Sequence, residues 1–472
     1  MDSGHIDLIY LLAACLFIAG LKMLSSPRSA PRGNLTAASG MLLAVIATVL
    51  HQDVNRFGWV IAGLVVGSAI GIYLGQTVKM TAMPQLVALF NGLGGAASAV
   101  VAWSELSGNY WNAAEAGTLT SVPTEIAVPI VLSTLIGGVT FTGSCVAFAK
   151  LQELISGRPL VYPLQKTINL VLLLGALTLG VLVVRDTMTP WPYVLLVVVS
   201  SVLGALSVVP IGGADMPVVI SLLNSYSGLA ACATGFVLRN NALIIGGSLV
   251  GASGIILTKV MCKAMNRSLA NVLFGAFGAA DRTPSPAGAE AARATGAVKS
   301  GSPEDAAMLL DAADLVIVVP GYGLAVAQAQ HVVREMGDIL QSRGAEVKYA
   351  VHPVAGRMPG HMNVLLAEAD VPYDQLYDME AINSEFPQAE VALVIGANDV
   401  TNPAARSDRS SPIYGMPILD VDKAQTAIVI KRSMRPGFAG VDNELYTRDR
   451  TLMVFGDAKD TVARIIHALK EI

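Results

Sequence analysis

The feature that most limits this chain is a series of long apolar stretches, nearly all before about residue 270. A bilayer core takes roughly 20 apolar residues per helix, within a range of about 17–25. Nine stretches qualify, at about 5–24, 35–50, 57–75, 83–103, 125–149, 164–184, 191–209, 216–237 and 241–262, the second being the shortest. With no water to satisfy their backbone groups, stretches of this length have to be helices. Only 14% of the 472 residues are charged, against roughly 25% in a soluble domain. The expected architecture is a polytopic α-helical membrane domain over 1–265, a linker over 266–302 and a soluble domain over 303–472.

Loop charges orient the helices. With the N-terminus outside, ten Lys and Arg fall in inside loops: Lys22, Arg28, Arg32, Lys79, Lys150, Arg158, Lys166, Lys259, Lys263 and Arg267. Three, Arg56, Arg185 and Arg239, fall outside. This bias puts the soluble domain in the cytoplasm. The first residues include Asp2, His5 and Asp7 rather than a basic leader, so the first apolar run is expected to stay as a helix. A net charge of −4 offers no footprint for nucleic acid. Cys15, Cys145, Cys232 and Cys262 have no metal-ligand spacing and read as small apolar packers.

The membrane part contains an internal echo. Met83-Pro84 leads to Asn91 and Gly95, and Met216-Pro217 leads at the same intervals to Asn224 and Gly228. Pro in a first turn costs no hydrogen bond. Each Asn lies eight residues past its Met, so roughly 12 Å deep at about 1.5 Å per residue, near the midplane of a roughly 30 Å core. Such an amide faces the bundle or a water-filled path. Interhelical hydrogen bonding explains it as well as an ion or proton path does. Asp215, just before the second copy, can cap a helix or relay protons at a mouth; Glu125 invites the same pair of readings.

Beyond Thr283-Pro284-Ser285-Pro286, apolar runs alternate with helical segments. Strands are expected at 314–319, 346–351, 390–395, 416–420, 426–431 and 451–455, with helices at 303–312, 323–343, 360–369 and 457–471. That alternation means a Rossmann-like α/β parallel sheet, whose sites gather at the carboxyl ends of strands. Those ends carry Gly321-Tyr322-Gly323, Gly356-Arg357, Gly396-Ala397-Asn398-Asp399, Lys431-Arg432-Ser433 and Gly456-Asp457-Ala458. Gly321 and Gly323 let backbone approach a pyrophosphate, although Val326 stands where the third small residue of G-x-G-x-x-G is usual. An ordinary strand-to-helix turn has the same look. The second strand ends in Val351-His352 without the acid of an NAD site, whereas Lys431-Arg432-Ser433 suits a 2′-phosphate or, more plainly, a solvated basic turn.

Several of these segments, in this order, resemble the beta subunit of the proton-translocating NAD(P) transhydrogenase. They are Gly212 to Pro217 with Asn224-Ser225-Tyr226-Ser227-Gly228, Met261 to Ser268, Pro320 to Gly323, His352 to Arg357, Gly396 to Asp399, and Lys431 to Ser433. The resemblance implies a nine-helix proton-translocating domain followed by an NADP(H) domain. It implies an alpha subunit that carries NAD(H), a dimer of alpha-beta units, and a bacterial inner membrane. It places the pyrophosphate by Tyr322 and Gly323 with the helix start Ala325, Val326 and Ala327, and a clamp on Val354, Ala355, Gly356, Arg357, Met358 and Pro359. The nicotinamide falls near Asn398 and Asp399 beside Gly396 and Ala397, with Asp399 and Arg357 serving catalysis. The 2′-phosphate falls on Lys431, Arg432 and Ser433, with further contacts at Gly415, Met416, Gly437, Phe438, Asp457 and Ala458. Asn91, Asp215 and Asn224 map to the proton path.

Two departures stand out. Asn91 occupies a position where many members carry a His, so a titrating group has to come from elsewhere, such as the alpha subunit; His51 lies at an outer helix end. Phe438 stands where a Tyr is common. A channel gated by a nucleotide sensor explains the same spans and sheet without redox turnover. A quinone reductase does not fit, as no haem, flavin or iron–sulfur ligand set is present.

Overall fold

The computed structural model describes residues 3–24, 26, 29–50, 57–78, 82–112, 122–156, 160–212, 215–265, 269, 298–358, 360–409, 411, 413–437 and 440–472. The expectations placed on Pro359, Phe438, His51, Asn266 to Ser268 and most of the 266–302 linker fall outside these residues. Contacts divide the chain into two compact units, 1–211 with 219–258, and 212–218 with 259–472.

Nine helices among the described residues are long and apolar enough to cross a membrane, as expected. They are α1 (Ser3–Met23), α2 (Ala30–Val49), α3 (Phe57–Thr77), α4 (Met83–Glu105), α5 (Thr124–Leu151), α6 (Gln165–Arg185), α7 (Pro190–Val208), α8 (Met216–Val237) and α9 (Asn241–Ala264). The second begins earlier than its apolar stretch suggests. Pro31 sits in its first turn, where no donor is lost, so Arg32 and Asn34 are taken into the helix. The fourth runs on past Glu105 as a π-helical stretch, Leu106–Trp111, where a loop is expected. Aromatic contacts hold that extension. The rings of Trp103 and Trp111 meet edge to face at 5.4 Å and both approach Tyr193. The Trp111 indole N–H donates to the Thr187 carbonyl at 2.8 Å.

α5 is the hub of this unit. A Cβ on Gly95 of α4 would lie 2.7 Å from the Gly137 carbonyl oxygen of α5, so these two backbones touch. Lipid is as apolar as a leucine side chain, so close packing and hydrogen bonds must hold the helices together. Ser133 on α5 supplies such bonds, to the Ser98 carbonyl at 3.0 Å and the Thr234 hydroxyl at 2.7 Å. Thr134 meets the Tyr193 hydroxyl at 2.7 Å.

The C-terminal part is an α/β domain with a six-stranded, all-parallel sheet. Its strands are β1 (Leu315–Pro320), β2 (Glu346–Val351), β3 (Leu376–Asp378), β4 (Val391–Ile395), β5 (Thr426–Lys431) and β6 (Thr451–Phe455), ordered 3-2-1-4-5-6. The helices α10 (Pro303–Asp311), α11 (Tyr322–Ala327), α12 (Gln330–Ser342), α13 (His361–Glu368) and α16 (Ala458–Glu471) accompany it, with short turns α14 (Met379–Ile382) and α15 (Ala404–Ser407). Strands covered on both faces read as unbroken apolar runs, and every residue of β4 is buried. A capping box between Ser302 and Asp305 starts α10. Just before it, Lys299 and Gly301 bond to Met453 of β6 on both its polar backbone atoms, so the domain's pairing begins ahead of that helix.

Three expectations are corrected. Residues 416–420 are not a strand, because their backbone groups are taken by side chains and turns, the Pro417 and Ile418 carbonyls accepting from His352 and Asn383. The segment packs instead against the turn after β4, with Leu419 N–H donating to the Val400 carbonyl at 2.9 Å. The short edge strand β3 is missed, having only three residues to show a pattern. The expected 323–343 helix is two, broken where Gln328 takes a left-handed φ of 51° with no Gly or Pro to signal it. Leu419 is fully buried, so Leu419→Ala should cost about 2–5 kcal/mol. Urea-dependent proteolysis of the detergent-solubilised chain measures this; a loss under about 1 kcal/mol would mean that the segment is not packed there.

Candidate functional site

The sheet order reverses between β1 and β4, the crevice where ligands bind in open parallel sheets. Two glycine turns meet there. Gly321 N–H donates to the Ile395 carbonyl at 2.9 Å, and Gly323 N–H to the Gly396 carbonyl at 3.0 Å. Gly396 has a φ of +66°, and a Cβ on Gly323 would fall 2.6 Å from its Cα. These glycines therefore first allow backbone to lie on backbone. Their N–H groups are taken by β4 and its turn, and what they leave at the crevice is room rather than free donors.

The crevice opens into a cavity of about 710 Å³. Gly321, Tyr322 and Gly323 line one side, and Val354, Ala355 and Gly356 from the β2 loop another. Gly396, Ala397, Asn398 and Asp399 form its centre. Lys431, Arg432, Ser433 and Gly437 follow from β5, with Ala458 at the start of α16. Gly456, from the end of β6, lines it too, as do Val400, Ile430, Arg435 and Pro436, which the sequence reading did not single out. Arg435 had a visible signal, being the third cation within five residues.

Other expected residues lie off the lining. Ala325, Val326 and Ala327 run along α11, with Ala325 buried and Val326 exposed. Arg357 places its guanidinium 4.4 Å from the centre of the Tyr322 ring, and Met358 follows it. Asp457 caps α16, accepting from Lys459 N–H at 3.0 Å. Gly415 and Met416 lie in the segment beyond α15, where Gly415 N–H donates to the Ala405 carbonyl at 2.8 Å. Met416 packs with Ala405, Ile413 and Ile418.

A polar network ties the cavity's centre to its cations. Lys431 Nζ donates to Asn398 Oδ1 at 3.0 Å and to the Arg435 carbonyl at 2.7 Å, and lies 4.8 Å from the centre of the Tyr446 ring. Asn398 Nδ2 donates to Asp399 Oδ1 at 2.9 Å. The Tyr446 hydroxyl lies 2.6 Å from Asn398 Oδ1 and 3.2 Å from the Ala397 carbonyl. Asn443 Nδ2 donates to the Asn398 carbonyl at 2.9 Å. Burial pulls the Lys431 ammonium below its ordinary range, while Asp399 and Asp442 pull the other way. Burial also raises the Tyr446 phenol, which stays a neutral donor.

Two buried histidines shape the β2 loop. His352 Nδ1 accepts from Val354 N–H at 3.2 Å, so Nε2 carries the proton and donates to the Pro417 carbonyl at 2.9 Å. His361 Nδ1 accepts from Arg357 N–H at 3.0 Å. Burial pushes His352 down to about 4, despite its bond to Pro417, and burial with the Arg357 charge does the same to His361.

In the membrane helices, Asn91 is buried and Nδ2 donates to the Ile220 carbonyl at 3.3 Å, joining α4 to α8. That carbonyl lies one turn before Asn224, which is half-buried. Asp215 is buried in the turn that leads into α8.

A switch-point crevice with glycine turns, on a chain with nine membrane-length helices among its described residues, defines a membrane protein with a Rossmann-like α/β domain. A family model described as the NAD(P) transhydrogenase beta subunit matches residues 6–468. A protein named NAD(P) transhydrogenase subunit beta from Rhodospirillum rubrum is 51% identical over 460 residues, covering 98% of each chain. A same-named protein from a particular strain of that species matches equally. The chain belongs to the NAD(P) transhydrogenase beta subunit family, a family of oxidoreductases.

The histidines give a pH dependence with a definite sign. Each has a folded pKa of about 4 against an ordinary value near 6.5, so the unfolded chain takes up protons first as pH falls. Their contribution is complete above about pH 6.5 and is lost toward pH 4. Between about pH 6.5 and 5 the C-terminal domain should lose about 2 kcal/mol per histidine. His352→Gln should flatten that slope. Urea-dependent proteolysis at the two pH values measures both; an unchanged slope in the variant would remove His352 from the account.

Proposed function

We propose that this chain binds NADP(H) in the cavity at the β1–β4 switch point, as the beta subunit of a proton-translocating transhydrogenase. An alpha subunit holds NAD(H), and hydride passes between the two nucleotides as a proton crosses the bilayer. The assembly is a dimer of alpha-beta units in a bacterial inner membrane, with the C-terminal domain cytoplasmic. The boundaries that go with this reading are 1–265 for translocation, 266–302 for the linker and 303–472 for NADP(H).

The observation that carries the reading is the cationic rim of Lys431, Arg432 and Arg435 on a cavity of about 710 Å³. A cavity of that size suits a dinucleotide, since ligand pockets run from roughly 300 to 1,000 Å³. The rim suits a dianionic 2′-phosphate, and β2 ends at Val351-His352 without an acid to hold a ribose 2′-hydroxyl. Tyr322 and Gly323, with the helix start Ala325, Val326 and Ala327, form the pyrophosphate side. Arg357, stacked on Tyr322, brings charge to it, with Val354 to Pro359 as the clamp. Asn398 and Asp399 take the nicotinamide side. When bound, the nicotinamide supplies the hydride chemistry; the residues of this chain orient it and exclude water. Gly415, Met416 and Asp457, away from the described lining, act by shaping the neighbouring turns, and Phe438 is a further NADP(H) contact in this reading.

Asn91, Asp215 and Asn224 belong to the proton path in this reading. The bond from Asn91 to Ile220 also serves as an interhelical tie, and an amide does not titrate, so the protonatable group at this depth comes from elsewhere, such as the alpha subunit. One charge crossing roughly 150 mV releases about 3.5 kcal/mol, a shift of a few hundredfold at about 1.4 kcal/mol per decade. Protonation would spend that energy in biasing the turn at Asp399 and the clamp at Arg357 between binding and release.

Reconstitution with an alpha partner in sealed vesicles tests the reading. Hydride transfer from NADH to an NADP+ analogue should acidify or alkalinise the lumen; binding without hydride transfer would favour a nucleotide-gated channel instead. Arg432→Ala should weaken NADP+ binding about 10- to 100-fold, the range for one charge-assisted contact, and leave NAD(H) at the partner unaffected. Asn224→Phe should stop or uncouple turnover while NADP(H) still binds. Normal pumping in that variant would remove Asn224 from the path.

A further inference from the structure

Tyr446 does not line the cavity, yet it touches both parts of the site that matter for charge. Its side chain is buried, its hydroxyl lies 2.6 Å from Asn398 Oδ1, and its ring lies beneath the Lys431 ammonium. A carboxamide can face either way, presenting an oxygen or an NH2. The phenol, as a donor, holds the oxygen of Asn398 inward. That oxygen then accepts from Lys431, and the amide NH2 is turned to Asp399. With its second N–H given to the Arg435 carbonyl, Lys431 keeps its third for the cavity. Turned over, the amide would set its NH2 against the ammonium and its oxygen against the Asp399 carboxylate, and both contacts would repel.

We propose that Tyr446 is the positioning residue for 2′-phosphate discrimination: by fixing the Asn398 amide, it aims Lys431 at the phosphate and Asp399 at the nicotinamide side together. This rests on the NADP(H) reading of the cavity and adds a residue outside it. It also links the two ends of the site, since Lys431 and Asp399 bond opposite ends of one amide. A change at the phosphate end is then felt at Asp399 without movement of the sheet.

The test uses the full-length chain in detergent and compares NADP+ with NAD+, which differ only in the 2′-phosphate. Tyr446→Phe removes one oxygen atom and keeps the ring. It should lower the NADP+ over NAD+ preference by about three- to tenfold, the range for one buried hydrogen bond, with a loss of only a few degrees in melting temperature. A structural role alone would weaken both nucleotides equally and leave the preference unchanged. Asn398→Ala should lower the preference at least as far, and the double variant should lose no more than Asn398→Ala alone, because the phenol acts through that amide. An unchanged preference in Tyr446→Phe, or additive losses in the double variant, would overturn the inference. Should Tyr446→Phe not accumulate in folded form, Asn398→Ala carries the test, and an unchanged preference there overturns it equally. If the unaltered chain shows no preference for NADP+, the NADP(H) reading fails and the inference goes with it.

Discussion

The C-terminal domain depends on one contact, the backbone of the β1 turn lying on the backbone of the β4 turn. Neither turn has side chains to spare there. Gly321 and Gly323 donate to Ile395 and Gly396, which extends the parallel ladder past the strands themselves. β1 leads to β2 on one side and β4 to β5 on the other, so the chain leaves the two turns in opposite directions, Tyr322 into α11 and Asn398 toward β5. The crevice between them is therefore a product of sheet topology, and its contents are decided by what stands at positions 397–399 and 431–437.

The membrane unit is held by the same device in another setting. Where α4 meets α5, Gly95 and Gly137 remove the side chains that would hold the helices apart. Ser133, Thr134 and Asn91 then add hydrogen bonds that lipid cannot supply. In both units, close approach of main chains comes first and polar side chains fix the register. In hydrocarbon those polar bonds are worth modest amounts singly, so their number along α5 matters more than any one of them.

Legibility in the sequence follows from how local each signal is. The membrane helices are legible because each needs about 20 apolar residues in a row, and the buried strands because both faces are covered. Gln328 was not legible, since a left-handed residue without Gly leaves no mark in composition. The 416–420 segment misled for a different reason. Met416, Ile418 and Leu419 are buried as a strand's residues would be, but the segment's backbone bonds to the distant His352, Asn383 and Val400 rather than to a strand. In the cavity the glycine turns and the Lys431-Arg432 pair could be read directly. Tyr446 and Asn443 could not, because their importance comes from a contact to Asn398 made more than forty positions away.

The joined turns also have a consequence for the order of assembly. Val316 of β1 pairs with Val391 of β4, the widest separation along the chain of any neighbouring strands in the sheet. Longer closures cost more entropy, and non-local pairings form late. Strands β1 to β3 and strands β4 to β6 can each associate through shorter closures, leaving two half-sheets. The seam between them carries the costliest closure in the sheet, and the cavity exists only across it. A chain interrupted short of that join holds most of its strands paired and has nowhere to bind a nucleotide.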